Sequence, residues 1–306
     1  ATLMGHWQPL TWLSYAIDYS IAGIDPWQFH FTNIVLQAAD AALLYMVIVR
    51  LVRAACGERV SEGTPLRLAA ATGALLWSVH PLRVESVTWS TERRDVLSAF
   101  FLLLTLLTYL RAFPPGSVRS ASRIWYAMSI VLLALSLMSK AWAMSFFAIA
   151  TILDWYPLRR LPPSPWKWGS GPAIRVLVQK LPYLAMGLVI ARVAGLAQNS
   201  TGAMRTLDDW PLTSRIAQSF YGLVFYPWKT VWPTNLCALY ELRHGLNPLG
   251  PVYMACYILV MGSGAAIVLL WRPGPRPAPG TGGCPRTVAP GPRLFPSGDP
   301  FAGGPY

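Results

Sequence analysis

LAAATGALLWSV-HPLRVESVTWSTERRD-VLSAFFLLLTLLTYL, residues 68–110, is a dense polar block between two apolar runs, with hyphens at its borders. The sixteen central residues, 80–95, carry one His, three Arg, two Glu and one Asp. The flanking runs 68–79 and 96–110 have the character of membrane spans. Charge clamped between spans is costly unless it faces water or a ligand. The block therefore predicts helices that cross a membrane and marks the place where a functional site belongs.

The rest of the composition agrees. Hydrophobic residues make up 54% of the 306 and charged residues only 12%, with a mean hydropathy of +0.40. A soluble domain averages about 25% charged residues. Fourteen Trp and thirteen Tyr suit the aromatic belts of a bilayer interface. The net charge of +12 fits membrane orientation and anionic lipid, so nucleic acid is not an expected partner. Cys56, Cys237, Cys256 and Cys284 have no metal-type spacing and no disulfide framework. Asn199-Ser200-Thr201 is a glycosylation sequon, a signal common by chance.

A span needs about 20 apolar residues. Candidates lie at 31–49, 68–82, 96–113, 124–139, 143–158, 181–197 and 252–271, while 216–236 is interrupted by Pro227 and Pro233 and reads as a broken span or re-entrant element. The expected fold is all-α, a polytopic helical bundle of about seven to eight spans. Residues 1–30 are expected to form an amphipathic interfacial segment punctuated by Gly23 and Asp25-Pro26, with 31–197 as the transmembrane core. A long outer loop follows at 198–250 and a last span at 251–272.

Loops 50–67, 111–123 and 159–180 hold twelve Lys and Arg, against four (Arg83, Arg93, Arg94, Lys140) in the opposite segments 1–30, 80–95 and 139–142. The positive-inside rule puts the twelve in the cytoplasm and the polar block outside. Eight of the thirteen acids then face outward: Asp18, Asp25, Glu85, Glu92, Asp95, Asp208, Asp209 and Glu241. Nucleotides are scarce on that side, so an enzyme there needs a lipid-linked activated substrate. The expected location is a bacterial inner membrane, with the active face towards the periplasm.

GHWQPLTWLSYAIDY at 5–19, then Gly23, Pro26, His30 and Asn33, then His80-Pro81 with Glu85 and Trp89, ERRDVLSAFF at 92–101, Ser139-Lys140 and DWYPLRR at 154–160, together resemble a known family. It is the membrane half of the transmembrane and tetratricopeptide-repeat proteins, GT-C type glycosyltransferases of the protein O-mannosyltransferase kind. Pro233, Asn235 and Tyr240 fit the same pattern more loosely. The resemblance implies transfer of a mannose-like sugar from a polyprenyl-phosphate carrier to a protein hydroxyl or other acceptor on the outer face. The implied partners are the bilayer, the lipid-linked sugar, and an acceptor protein or glycan. No cofactor is firmly implied, no metal ligand is assigned, and the need for a divalent metal stays open.

The family's catalytic carboxylate lies in the first outer loop, upstream of the present start. The intact parent is therefore expected to be the enzyme and this piece to be inactive. Ser139-Lys140 is followed here by Ala141, where many relatives carry an acid. Transfer from a lipid phosphate needs a carboxylate to accept the acceptor's proton and cations to stabilise the leaving phosphate. Arg93, which matches the family's Arg, is the first candidate for the phosphate; Arg94 and Lys140 follow. Glu85 and Asp95 are candidate supporting acids, the alternative being an ion-pair network that holds the loop. His80 is a candidate substrate contact, or a cap at a span end. Asp18 and Asp25 are candidates for the acceptor side, or solvated interface; His30 and Asn33 are read as substrate contacts or cross-helix bonds.

Phosphate-binding Gly loops, zinc motifs and nucleophile elbows are absent from the sequence. Asp208-Asp209 is a weak divalent-ion signal. Two other classes compete with the enzyme: a transporter, suited by intramembrane charge, and a non-catalytic membrane scaffold.

Residues 273–306 change character, with eighteen Gly and Pro among thirty-four. They are expected to be a disordered tail, or the product of a frameshift. Pro, Gly, Ala, Arg and Thr codons fix two bases and leave the third free. Read one base forward, such codons permit Leu, Val and Ala, and so an apolar helix over 278–292.

Overall fold

Gly23 and the Asp25-Pro26 pair set the first corner of the chain. In a computed structural model, which describes residues 7–57, 63–119, 122–200, 210–237 and 246–270, helix α1 (Pro9–Ala22) starts on a proline and stops at Gly23. Gly23 takes φ 65°, a left-handed conformation that costs glycine little, and its N–H closes on Tyr19 O. Asp25 then caps α2 (Pro26–Cys56), its carboxylate accepting from Trp27 N at 3.0 Å with Pro26 in the first turn. The long helix α2 is about 46 Å in length, more than a bilayer's apolar core needs. It encloses the candidate span 31–49 and extends beyond it at both ends.

Nine further α-helices follow among the described residues: α3 (Thr64–Ser78), α4 (Val84–Thr88), α5 (Arg93–Ala112), α6 (Arg123–Ser139), α7 (Phe146–Trp155), α8 (Gly171–Val178), α9 (Leu181–Asn199), α10 (Leu212–Val231) and α11 (Pro251–Leu270). The protein is a helical membrane protein. Three helical stretches are long and apolar enough to cross a bilayer, Pro26–Cys56, Ser90–Ala112 and Leu181–Asn199, and Arg123–Ser139, Ala141–Trp155 and Pro251–Ile267 are shorter apolar helices. Among the described residues the apolar helices are thus three long ones and three shorter ones. The shortening has local causes: α6 gives way to extended backbone at Lys140, and Pro157 follows close behind α7. The interrupted segment 216–236 is largely one helix, because α10 continues through Pro227 as far as Val231. Asp208, Asp209, Tyr240, Glu241 and the tail lie outside the described residues.

Large apolar side chains point outward along these helices, among them Ile34, Val35, Leu75, Leu76, Val131, Leu188, Val189 and Ile258. Such a coat suits lipid rather than water. Inside, α5 packs between α2 and α6. Leu43 and Val47 meet Leu103 and Leu107 on one side of it. On the other, Tyr109, Phe113, Leu133, Leu137, Phe146 and Tyr183 form the main core. Ser98 and Ser136 exchange hydrogen bonds across the α5–α6 contact (Oγ–Oγ 3.0 Å, Ser136 Oγ to Ser98 O 2.8 Å), where small polar residues let two helices come close.

Hydrogen bonds join like ends of the helices. Gln37 to Ser78, Asn33 to Val87 and Thr11 to Ser139 lie at one end, and Arg50 to Leu107 and Arg159 to Ala55 at the other. The Lys/Arg-rich loops therefore share one end of the bundle and the polar block sits at the opposite one, as the alternation of spans requires.

Helix α9 crosses the turn 141–145 so closely that a Cβ on Gly187 would lie 2.4 Å from Met144 O. Backbone cannot retreat as a side chain does. Gly187→Ala is expected to destabilise the protein by about 1–3 kcal/mol, read as a lowered thermal midpoint in detergent. Gly195→Ala in the same helix, where a Cβ meets nothing within 4 Å, is the matched control.

Candidate functional site at the polar end of the bundle

The turn 90–92 leads into α5, and the first turn of that helix delivers Arg93, Arg94 and Asp95 in succession. Consecutive helical residues point in different directions, so the three side chains part company. Arg93 turns inward and Arg94 and Asp95 turn to the rim.

At the rim, the Lys140 ammonium pairs with Asp95 Oδ1 and lies 3.4 Å from Glu92 Oε2. Glu92 also pairs with Arg94. Ser86 Oγ donates to the second oxygen of Asp95 at 3.2 Å, and Lys140 lies over the Trp142 ring at 4.2 Å. The four charged side chains keep 12–20% of their surface open, so the group is a partly open rim and not a sealed core. Tyr15 closes one side by donating to Ser90 O at 2.8 Å. Burial pushes its phenol up to about 12 against the pull of Arg93 and Arg94, so it remains a neutral donor at physiological pH.

Beneath the rim, Arg93 is fully buried. Its Nε donates to Asn33 Oδ1 at 2.9 Å, its Nη2 to Phe29 O at 2.9 Å and its Nη1 to Ser14 O at 3.3 Å, and it ion-pairs with Asp18 at 2.5 Å. The guanidinium also lies over the Tyr15 ring at 4.7 Å. Thr32 Oγ1 donates to the other oxygen of Asp18 at 2.9 Å. Arg93 and Asp18, candidates for the phosphate and the acceptor side, thus both tie α1, α2 and α5 together, and the Arg93 side chain is closed to solvent in this structure.

The remaining candidates are scattered. Asp25 is spent on the α2 cap. His80 Nδ1 accepts from Leu82 N at 3.2 Å, which leaves Nε2 as the donor to Thr230 O at 2.9 Å, so the ring caps a turn and ties it to α10. Asn33 bonds across helices, to Arg93 and to Val87 O. His30 is half-buried and Glu85 is exposed; among the described residues neither side chain makes a hydrogen bond or ion pair. The structure brings Arg94, Asp95, Lys140 and Glu92 together; Glu92 was counted only as an outward acid.

Two buried charged sites lie outside the sequence expectations. At the opposite end, Asp154 Oδ2 pairs with Arg160 Nη1 at 2.7 Å and with Lys180, all three fully or almost fully buried. The chain reverses at Arg159, in the left-handed region at φ 53°, so that Arg160 reaches back to this carboxylate. Arg160 also donates to Ser117 O at 2.6 Å and pairs with Gln179, and Lys180 donates to Tyr109 Oη. The second is Asp40, an acid in the middle of the apolar run 31–49, which is the signal that marks it.

Comparison with characterised proteins gives a consistent set of relatives. The chain is 33% identical to protein O-mannosyl-transferase TMTC4 of Homo sapiens over 154 residues, 48% of this chain and 20% of the relative. It is 26% identical to tmtc2 of Xenopus laevis over 155 residues (51% and 17%), and 30% identical to Tmtc2 of Drosophila melanogaster over 153 (49% and 15%), both also named protein O-mannosyl-transferases. The resemblance carried by the motifs is thus borne out, over about half of the chain. The matches span about a fifth or less of those relatives' length. These relatives are animal proteins, and they lend no support to a bacterial inner membrane. No protein-family model matches the chain, and no solved structure does.

Proposed function

We propose that this chain forms part of an integral-membrane glycosyltransferase that moves a mannose-like sugar from a polyprenyl-phosphate carrier to a hydroxyl of an acceptor protein on the outer face. The observation that carries the reading is the pair of partly open cations, Lys140 and Arg94, beside Asp95 and Glu92 at the end of the spans. A lipid phosphate lies at that level of a bilayer. The names of the relatives supply the sugar and the class of acceptor.

In the reaction, the bond between the sugar's anomeric carbon and the phosphate oxygen breaks, and the acceptor oxygen takes its place. Negative charge builds on the departing phosphate, where Lys140 and Arg94 stabilise it. A carboxylate takes the acceptor's proton, with Asp95 and Glu92 as the acids within reach of the rim. Arg93 acts as a positioning residue that fixes the start of α5.

Lys140→Ala, made in the full gene product, is expected to lower transfer from polyprenyl-phosphate mannose about 10²–10³-fold, the range for losing a transition-state charge partner. Lys140→Arg should restore part of it. Unchanged transfer in Lys140→Ala removes the assignment. One observation favours a second reading, a non-catalytic membrane scaffold: every charge of the rim already has a partner within the chain. A wild-type gene product with no transfer activity supports that reading.

A further inference from the structure

Asp40 stands alone in the bundle. It lies on α2 about 21 Å along the helix from Pro26, is fully buried, and neither carboxylate oxygen has a hydrogen-bond partner. One turn earlier on the same face, Gln37 donates its amide to Ser78 O at 3.1 Å and to Ser78 Oγ at 3.4 Å. That orientation leaves Gln37 Oε1 as the free atom, and it too is buried without a donor. Side chains at i and i+3 are neighbours on a helix. The three orphan oxygens thus belong to one face of α2, with one formal negative charge among them.

Among the described residues no side chain or backbone group answers them with a hydrogen bond. The Asn33 amide is engaged by Val87 O and Arg93. Among the described residues the charge whose field reaches Asp40 is that of Arg83, whose guanidinium is stacked on Trp77 at 4.9 Å. An isolated carboxylate inside an apolar span is too costly to stand uncompensated, so it takes up a proton or a cation, and a cation would also answer the orphan Gln37 Oε1.

We infer that Asp40 and Gln37 form a buried binding site for a monovalent cation of the sodium class, held by both Asp40 oxygens and Gln37 Oε1. Carboxylate and amide oxygens are hard ligands, which excludes soft metals. One carboxylate balances one positive charge, and among the described residues no three His, Cys, Asp or Glu converge as a divalent or transition metal requires. The bound ion ties the middle of α2 to the polar end of α3 through Gln37 and Ser78. The site is separate from the transferase reading and does not depend on it.

The purified chain in detergent is melted in NaCl and in choline chloride at equal ionic strength, and radiosodium binding is measured alongside. A saturable rise in melting temperature of several degrees with Na+ is expected, with one sodium bound per chain. Both should vanish in Asp40→Asn, which keeps the shape and removes the charge. A wild-type chain with the same melting temperature in both salts and no saturable sodium binding overturns the site. So does a sodium effect that survives in Asp40→Asn.

Discussion

Arg93→Ala is expected to cost the fold about 3–5 kcal/mol, the range for breaking a buried ion pair by removing one partner. The loss has three sources. Asp18 is left as a carboxylate almost without solvent contact. Asn33 Oδ1 and the carbonyls of Phe29 and Ser14 lose the donor they share. A cavity opens where the guanidinium lay over Tyr15. Arg93→Lys should recover little, because one ammonium cannot address partners that the planar fork reaches on three sides. Thermal unfolding in detergent reads the effect, and Arg94→Ala, at the partly open rim, should lower the midpoint far less. Equal losses for the two would show that Arg93 is not the keystone of the polar end.

Asp154→Asn should match that loss at the other end, about 3–5 kcal/mol, because it leaves Arg160 and Lys180 as two buried cations side by side. Adding Lys180→Met removes one of them and should restore part of the stability, so the two changes are not additive. Lys180 supplies a pH signature. Burial lowers its ammonium from the ordinary 10.5 to about 8, with Asp154 pulling the other way. Between those values the unfolded chain holds more protons than the folded one. Its contribution to stability therefore rises with pH across about 8 to 10.5 and is flat below 8. Lys180→Met should remove that slope. A slope that persists would assign it to another group.

The legible parts of this molecule were those set by local chemistry. Gly23 and Asp25-Pro26 mark the end of the first segment, and His80-Pro81 a cap at a span end; each depends on atoms within a few residues. The apolar runs on either side of 80–95 carried the class of fold, and the motifs carried the resemblance. Arg93 shows the limit. Its charge beside a span is visible in the sequence, but its direction is set by Asp18, Asn33 and Phe29, sixty or more residues away. Residues 93 and 94 look alike in sequence, and a rotation of about 100° from one helical residue to the next separates a keystone from a rim cation. Lys180 and Arg160 were counted as loop charges that orient the protein. That they share one carboxylate follows from the reversal at Arg159 and the docking of α9, which no local pattern encodes.

The knot around Arg93 also dictates a timetable. Asp18, Ser14, Phe29 and Asn33 leave the ribosome long before the arginine that joins them, so the first two helices must wait in the bilayer with their polar partners unclaimed. Only when α5 arrives can α1 lock onto α2 and α5, and from then on the early segments cannot leave singly. Nascent chains halted before residue 93 should expose α1 to protease, and those halted well after it should protect it. An arginine of this kind works as a latch in biogenesis: it closes last and holds what was inserted first.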